Sequence, residues 1–436
     1  MTTTIVDAKS YKRLLQELEQ HRKQHERLKL LFNVTRNITR ELTIDRLLLR
    51  IMDEVKNVLN CDRCSVFIMD EENQELWAQV AHGGDEIRFP SHLGIAGYVA
   101  TTGETLNIPD AYADHRFNPN IDKQTGYRTR NILTIPMRNK MRNIIGVFQA
   151  LNKFGGPFTR DDEELLDAIS AISAGQIENA QLYEEQKKTF DSFIETLATT
   201  IDARDPMTAG HSKRIAMYSD EIAQIVKLTD AEREVLRTAA LLHDYGKIAV
   251  REAVLTKKGR LTPEEFEHIQ SHPEFTRRIL RKINFSRKLK DVPEIAGAHH
   301  EKIDGTGYPQ GLRDKEIPKL SKILAVCDVF DALTSQRPYR DRMSFFKVLH
   351  IINRGAGTDF DDFYVAALKK IRLDRILLIL EDEHKENLRP GDLRFLSHFT
   401  LTDLMFVYAV DEPTPEQQKL VRVFTKYYVQ NYEEVR

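Results

Sequence analysis

The sequence predicts a multidomain chain: an N-terminal α/β domain joined by a long coiled-coil helix to an all-α bundle. Three observations carry this. Between residues 30 and 180, short alternating runs (SVFIMD, LWAQVAH, NILTIPM, IIGVFQALN) are separated by glycine turns and accompanied by an apolar helix, LLLRIMDEVKNVL. From Asp162, the residues Ile169, Ile172, Gln176, Asn179, Tyr183, Gln186, Phe190, Phe193 and Leu197 recur on a 3-4 spacing, a helical seam interrupted by polar groups. After residue 197 the period-two pattern stops and amphipathic helices take over.

The 436 residues are too many for one ordinary core. The expected division is a helix over 1–29, an α/β sensor-sized domain over 30–180, a linker helix over 165–197 overlapping its end, a helical domain over 198–375 and a helical, charged extension over 376–436. In the first helix Leu14, Leu18, His21, His25, Leu28 and Phe32 form a short heptad seam. It predicts a parallel dimer contact, with a lone helix packed on its own domain as the competing reading. Thr229 with Glu232, and Thr262-Pro263 with Glu265, read as capping boxes that start two helices. The extension breaks at Arg389-Pro390-Gly391-Asp392 and Glu412-Pro413-Thr414-Pro415; a dimer contact, a lid and a docking surface all stay open for it.

Composition narrows the function. Charged residues make up 30% of the chain but nearly cancel, to a formal −2, so no basic field points to nucleic acid as the partner. Three cysteines (Cys61, Cys64, Cys327) are too few for a disulfide framework, and MTTTIVDAKSYKRLLQ lacks the apolar core of a signal peptide. A cytoplasmic, reduced setting is expected. No run of about 18 apolar residues predicts a membrane span. Cys61-Asp62-Arg63-Cys64 is a single CxxC and reads as helix-to-strand packing rather than zinc binding.

Histidines and aspartates cluster in distinctive settings: GHSKR (His211), LLHDYGK (His243, Asp244), SHPEF (His272), AHHE (His299, His300) and AVCDVFDAL (Asp328). Several adjoin apolar runs, where a polar group needs a partner. A shared metal centre would satisfy them together, and seven candidate ligands exceed what one ion with an open position accepts, so two ions are expected. Asp244, with two oxygens, is the natural bridge. Adjacent helical residues are about 100° apart, so His299 and His300 are expected to address different ions or different sides of the cluster. Cys327 is expected to face away. Imidazole and carboxylate without thiolate favour Fe, Mn, Zn or Co. A two-metal site bridged by water or hydroxide suits phosphoester hydrolysis. Lys247, three residues after Asp244 and four after His243, is expected on their helical face, ready to stabilise phosphate or protonate a leaving group.

The ordered set DARDPMTAGHS, LLHDYGKI, SHPE, HHEKIDGTGYPQGL, IPKLSKILAVCDVFDALTSQRPYR and GTDFD, over roughly residues 190 to 370, resembles the HD-GYP family of cyclic di-GMP phosphodiesterases within the HD phosphohydrolases. The resemblance implies that His211, His243, Asp244, His272, His299, His300 and Asp328 are metal ligands and that Lys247 lies on the phosphate side. It implies that Asp304, Gly305, Gly307, Tyr308 and Pro309 line the cleft, and that Arg337 and Arg340 bind phosphate or guanine, a task suited to the planar guanidinium fork. Some members hold a third metal through a Glu four residues before the first histidine; here Met207 stands there. Two divalent ions are therefore expected, Fe or Mn favoured, with Zn, Co and Ni as alternatives. The implied reaction is hydrolysis of cyclic di-GMP to pGpG, with GMP as a further product, by metal-bridged hydroxide. A hydrolase of 3′,3′-cyclic GMP-AMP and a catalytically silent dinucleotide receptor are the rivals.

The front domain resembles a GAF sensor, an antiparallel sheet with helices. Asn152-Lys153, Phe158 and Asp162-Glu163 are similar to the NKxnFx3DE signature of cyclic-nucleotide-binding members. The signature also acts as a Lys-to-Asp bridge supporting the pocket, so a cyclic nucleotide, another ligand or none stays open. HGGDEI, His82 to Ile87, looks like a cyclase signature but reads as a turn. The whole is expected to be a homodimer in which GAF ligands shift the helical seam and alter access to the metals.

Overall fold

The computed structural model describes residues 8–41, 43–78, 87–205, 210–257, 259–335 and 342–428. The chain folds as two compact units, Met1–Thr189 and Phe190–Arg436.

The first unit opens with α1 (Ala8–Ile38), which runs past residue 29 and buries Val34 and Ile38 in the unit's core. In α2 (Ile44–Leu59), Leu47, Leu48, Ile51, Val55 and Leu59 face that core at helical spacing, and Asn60 ends the helix in the left-handed region at φ 51°. The strands β1 (Cys61–Asp70), β2 (Glu75–Ala78), β3 (Ile87–Pro90), β4 (Leu106–Ile108), β5 (Ile132–Arg138) and β6 (Ile144–Lys153) form an antiparallel sheet of order β3-β2-β1-β6-β5-β4. The central pair β1 and β6 is registered from Cys61 opposite Lys153 to Ile68 opposite Gly146. The helices α3 (Gly94–Thr102) and α4 (Pro119–Thr125) lie between strands in the chain. Residues 82–86 of HGGDEI lie outside the described residues. Cys61 and Cys64 both sit in β1, and all three cysteines are free thiols. α5 (Arg160–Arg204) is one uninterrupted helix of 45 residues.

The second unit is helical: α6 (His211–Ile225), α7 (Asp230–Leu242), α8 (Glu252–Leu255), α9 (Pro263–Gln270), α10 (His272–Leu280), α11 (Val292–Ala296), α12 (Lys319–Thr334), α13 (Phe345–Arg354), α14 (Asp362–Lys369), α15 (Leu373–Leu380), α16 (Pro390–Leu396), α17 (Leu401–Tyr408) and α18 (Pro415–Tyr428). Both capping boxes form, at Thr229 and Thr262. Ile215, Tyr218, Leu236, Ile323 and Phe330 anchor the core. The C-terminal helices belong to the same core: Phe424 and Tyr428 pack edge-on against Phe345, and the Tyr428 hydroxyl donates to the Met343 carbonyl at 2.6 Å. No helix among the described residues is long and apolar enough to cross a membrane.

Candidate metal centre and cleft

Helix ends deliver most of the candidate ligands. Gly210, at φ 65°, turns the chain into α6 at His211; His243 closes α7; His272 opens α10; Asp328 lies within α12. Two expectations about helical faces are corrected. Asp244 and Lys247 follow the end of α7 and enter a 3-10 turn, Tyr245–Ala249, whose three-residue period stacks Lys247 over Asp244 more closely than an α-helix would. His299 and His300 stand in the turn after α11 rather than on a helix. Their ring centroids are 4.0 Å apart and both rings join His272 in one group, while His299 Nε2 faces Asp244 and His300 Nδ1 faces Asp328, so it is the helical premise that changes and not the two sides they address.

The seven side chains converge. Ligating atoms of His272, His299 and His300, of His211, His243 and Asp328, and of His243, Asp244 and His299 fall into three groups, each within 4.8 Å. Asp244 spans them: Oδ1 lies 3.1 Å from His272 Nε2 and 3.8 Å from His299 Nε2, while Oδ2 lies 3.4 Å from His243 Nε2 and 3.8 Å from His211 Nε2. Asp328 repeats the arrangement, with Oδ1 3.2 Å from His211 Nε2 and Oδ2 3.6 Å from His300 Nδ1. All but the partly exposed His300 are buried.

The surroundings fit cations. The Nδ1 atoms of His243, His272 and His299 lie 2.7, 2.7 and 2.6 Å from the carbonyls of Ala240, Ile269 and Ala296. Donating there fixes the tautomer that leaves each Nε2 lone pair facing the cluster. Among the described residues His243 Nε2 is buried with no hydrogen-bond partner, a cost that a ligand bond removes. Burial holds His299 well below the usual imidazole range, and holds His300 at about 4 against the pull of Asp328. Burial opposes charge on Asp244, yet the Lys247 ammonium beside it keeps it ionised. Neutral imidazoles and ionised carboxylates are the forms that bind metal. Cys327 is buried with its thiol against Ser219, and belongs to none of the three groups.

Sequence reasoning missed the residues behind this layer. Asp331, fully buried, accepts from His211 Nδ1 at 2.8 Å and from Arg214 Nε and Nη2 at 2.7 and 3.0 Å. Asp202 accepts from the Ser212 hydroxyl at 2.8 Å, and Asp205 lies 3.1 Å from Lys247 Nζ. The signal was present in the three-residue spacings His211–Arg214 and Asp328–Asp331, each placing two groups on one helical face. Lys247 Nζ is 2.7 Å from Asp244 Oδ2. Burial favours its neutral form, but Asp244 and Asp205 prevail and raise its pKa above the ordinary lysine value.

In the following loop, buried Glu301 accepts from the Gln310 and Leu312 amides, both at 2.8 Å. Tyr308 donates its amide to the His300 carbonyl at 3.1 Å and sets its ring 4.7 Å from His300; Tyr308-Pro309 is cis. A Cβ on Gly307 would meet the Lys302 nitrogen at 2.3 Å. Asp304 accepts from the Thr306 amide and hydroxyl, and Gly305 at φ 84° lies against Arg313, so both shape the loop itself. Met207, Arg337 and Arg340 lie outside the described residues.

In the first unit the signature residues bond to protein groups. Lys153 Nζ meets Asp162 Oδ1 at 2.5 Å, and Asp162 Oδ2 accepts from Thr159 N and Oγ1. Burial would raise the Asp162 pKa; Lys153 and Thr159 hold it below the ordinary value. Asn152 bridges Tyr127, Arg128 and Arg130, Glu163 accepts from Asn107, and Phe158 is buried with its carbonyl on Asn107.

Residues 195–362 match the family model of the HD domain, and residues 43–177 match that of the GAF domain. The chain carries an N-terminal GAF domain followed by an HD domain. It is 42% identical over 200 residues to 3'3'-cGAMP-specific phosphodiesterase 3 of Vibrio cholerae, covering 45% of this chain and 42% of that protein. It is 36% identical over 282 residues to the probable cyclic di-GMP phosphodiesterase of the same organism, covering 60% and 61%, and 36% identical over 191 residues to the cyclic di-GMP phosphodiesterase of Thermotoga maritima, covering 44% and 52%. The chain spans about half the length of these curated relatives.

Proposed function

We propose that the chain is a metal-dependent phosphodiesterase that hydrolyses cyclic di-GMP to pGpG, with GMP as a further product, under control of its GAF domain. The carrying observation is Asp244, whose two oxygens face separate groups of histidines while Lys247 closes on one of them. His211, His243, His272, His299, His300, Asp328 and a bridging Asp244 would hold two divalent cations, Fe or Mn favoured. Such ions supply a water of lowered pKa and neutralise charge on the phosphate.

The chain's own groups do the rest. Asp328 and Asp244 fix the spacing of the two histidine groups. Lys247, kept charged by two carboxylates, suits electrostatic stabilisation of the phosphate better than proton donation, because a general acid works best with a pKa near the operating pH. Tyr308, on the His300 ring, offers a face at the cleft, with Gly307 and Pro309 setting its path. Arg337 and Arg340 are assigned to phosphate or guanine through the family motif. A receptor without turnover would not need an intact ligand set beside a charged lysine.

A second substrate, 3′,3′-cyclic GMP-AMP, is supported by the relative at 42% identity whose name carries that specificity. The GAF signature supports a pocket for a cyclic nucleotide or other small ligand, and the continuous α5 supports regulation through the helix. A homodimer and a cytoplasmic setting with reduced thiols complete the reading. Protein reconstituted anaerobically with Fe(II) or Mn(II) is incubated with each dinucleotide and the products are separated by chromatography. Conversion of cyclic di-GMP to pGpG is expected; no turnover of either dinucleotide with either metal would overturn the enzyme.

A further inference from the structure

We propose that the last turn of α5 is a clasp that positions Lys247, with Arg204 as its closing residue; this rests on the phosphodiesterase reading of the site. Arg204 Nη1 donates to the carbonyls of Lys247, at 3.3 Å, and Ile248, and Nη2 donates to the Val250 carbonyl at 2.8 Å. One guanidinium thereby grips two carbonyls of the 3-10 turn that presents Lys247, and a third at Val250, the residue that ends it. Carbonyls at the end of a short helical turn run short of partners within it; the Lys247 carbonyl also accepts from the Val250 amide at 3.0 Å, and the planar fork of Arg can serve several at once.

Its neighbours act on the same constellation. Asp205, the next residue, sits 3.1 Å from Lys247 Nζ, opposite Asp244 at 2.7 Å, so the ammonium is held between two carboxylates. Asp202, three residues before Asp205, accepts from the Ser212 hydroxyl at 2.8 Å and amide at 3.3 Å. That amide is in the first turn of α6, beside His211, so Asp202 caps the helix that starts at a candidate ligand. Three of the four residues from Asp202 to Asp205 thus reach the two segments bearing His211 and Asp244-Lys247.

A lysine carries four methylenes and many rotamers, and a displacement of about 1 Å at a reacting centre costs about 100-fold in rate. Fixing the backbone of the turn and the ammonium together removes both freedoms. Arg204 is a positioning residue: its guanidinium bonds to the backbone carbonyls of Lys247, Ile248 and Val250, and acts through the turn.

The test compares wild type, Arg204→Ala and Arg204→Lys, loaded with Mn(II). Arg204→Ala is expected to lower kcat by about 10- to 100-fold, leave KM within about twofold and retain Mn(II), because the histidines hold their own carbonyls. Added guanidinium ion restores part of that loss, and Arg204→Lys falls between the two. Backbone amides of residues 246–250 exchange hydrogen faster in Arg204→Ala. Wild-type kcat in Arg204→Ala, or a loss of activity together with Mn(II) that guanidinium does not restore, overturns the clasp. If wild type itself turns over neither dinucleotide, the phosphodiesterase reading fails, and the amide exchange alone decides the clasp: unchanged exchange at 246–250 overturns it.

Discussion

Asp331 accepts from His211 and from the partly buried guanidinium of Arg214 at once. Its burial would raise its pKa, but those two partners hold it at about 2, below an ordinary 3.8. Breaking a buried pair by neutralising one partner costs about 3–5 kcal/mol, because the other charge stays desolvated. Asp331→Asn should therefore lower the unfolding free energy of the metal-free protein, extrapolated from urea titration, by an amount of that order. The pH dependence has a definite sign: a carboxylate with a depressed folded pKa adds stability above its unfolded pKa and loses it as pH falls through the folded value. The gap between wild type and Asp331→Asn should be full near pH 5 and shrink towards pH 2, measured by urea titration at each pH; an unchanged gap would show that Asp331 does not carry the charge. The seven converging residues were legible in the sequence because each sits in a distinctive motif. Asp331 had only the weaker signal of its three-residue spacing from Asp328, because DVFDAL reads equally well as an ordinary helical stretch until His211 is known to face it.

Elements were legible where local signals decide them and illegible where packing does. Both capping boxes form because a threonine and a glutamate three residues later satisfy each other's amides within one turn. LLHDYGK reads as a continuing helix, but a Cβ at Gly246 would lie 1.9 Å from the His272 carbonyl, so the turn and α10 approach at a contact no local pattern announces. His299 and His300 likewise converge because the chain leaves α11 before them. The glycine-rich loop behind them is held to the same tolerance. A Cβ on Gly307 would meet Lys302 N at 2.3 Å and His300 O at 2.6 Å, both backbone, so the loop must move and the Tyr308 amide bond to His300 must lengthen or break. Overpacking of this kind costs about 1–3 kcal/mol, and if the loop binds substrate about 1.4 kcal/mol of it appears as a tenfold rise in KM. Gly307→Ala should raise KM for the dinucleotide about tenfold with bound Mn(II) unchanged by elemental analysis. Loss of metal instead would place the loop among the groups that hold the ions.

At the scale of the whole molecule, α1 changes role along its length. Its C-terminal part buries Val34 and Ile38 in the first unit, which fits the reading of a helix packed on its own domain. Its N-terminal part does not: Leu14, Leu18, Leu28 and Phe32 are 59, 63, 67 and 67% exposed. A single apolar side chain in water needs no explanation, but a stripe recurring at heptad spacing does. Burying a leucine is worth about 1.5–3 kcal/mol, so a parallel partner with the same stripe gains several such contributions, against the cost of association. The two histidines on the stripe, His21 and His25, are less apolar than leucine and weaken that gain, so a moderate rather than a maximal seam is expected. Wild type is expected to be a dimer at micromolar concentration by size-exclusion chromatography with light scattering. Leu18→Glu with Leu28→Glu, which sets like charges against each other across a parallel seam, should shift it to monomer while both units keep their helical circular-dichroism signal. A wild type that runs as a monomer, or a double variant that stays dimeric, would assign the stripe another role.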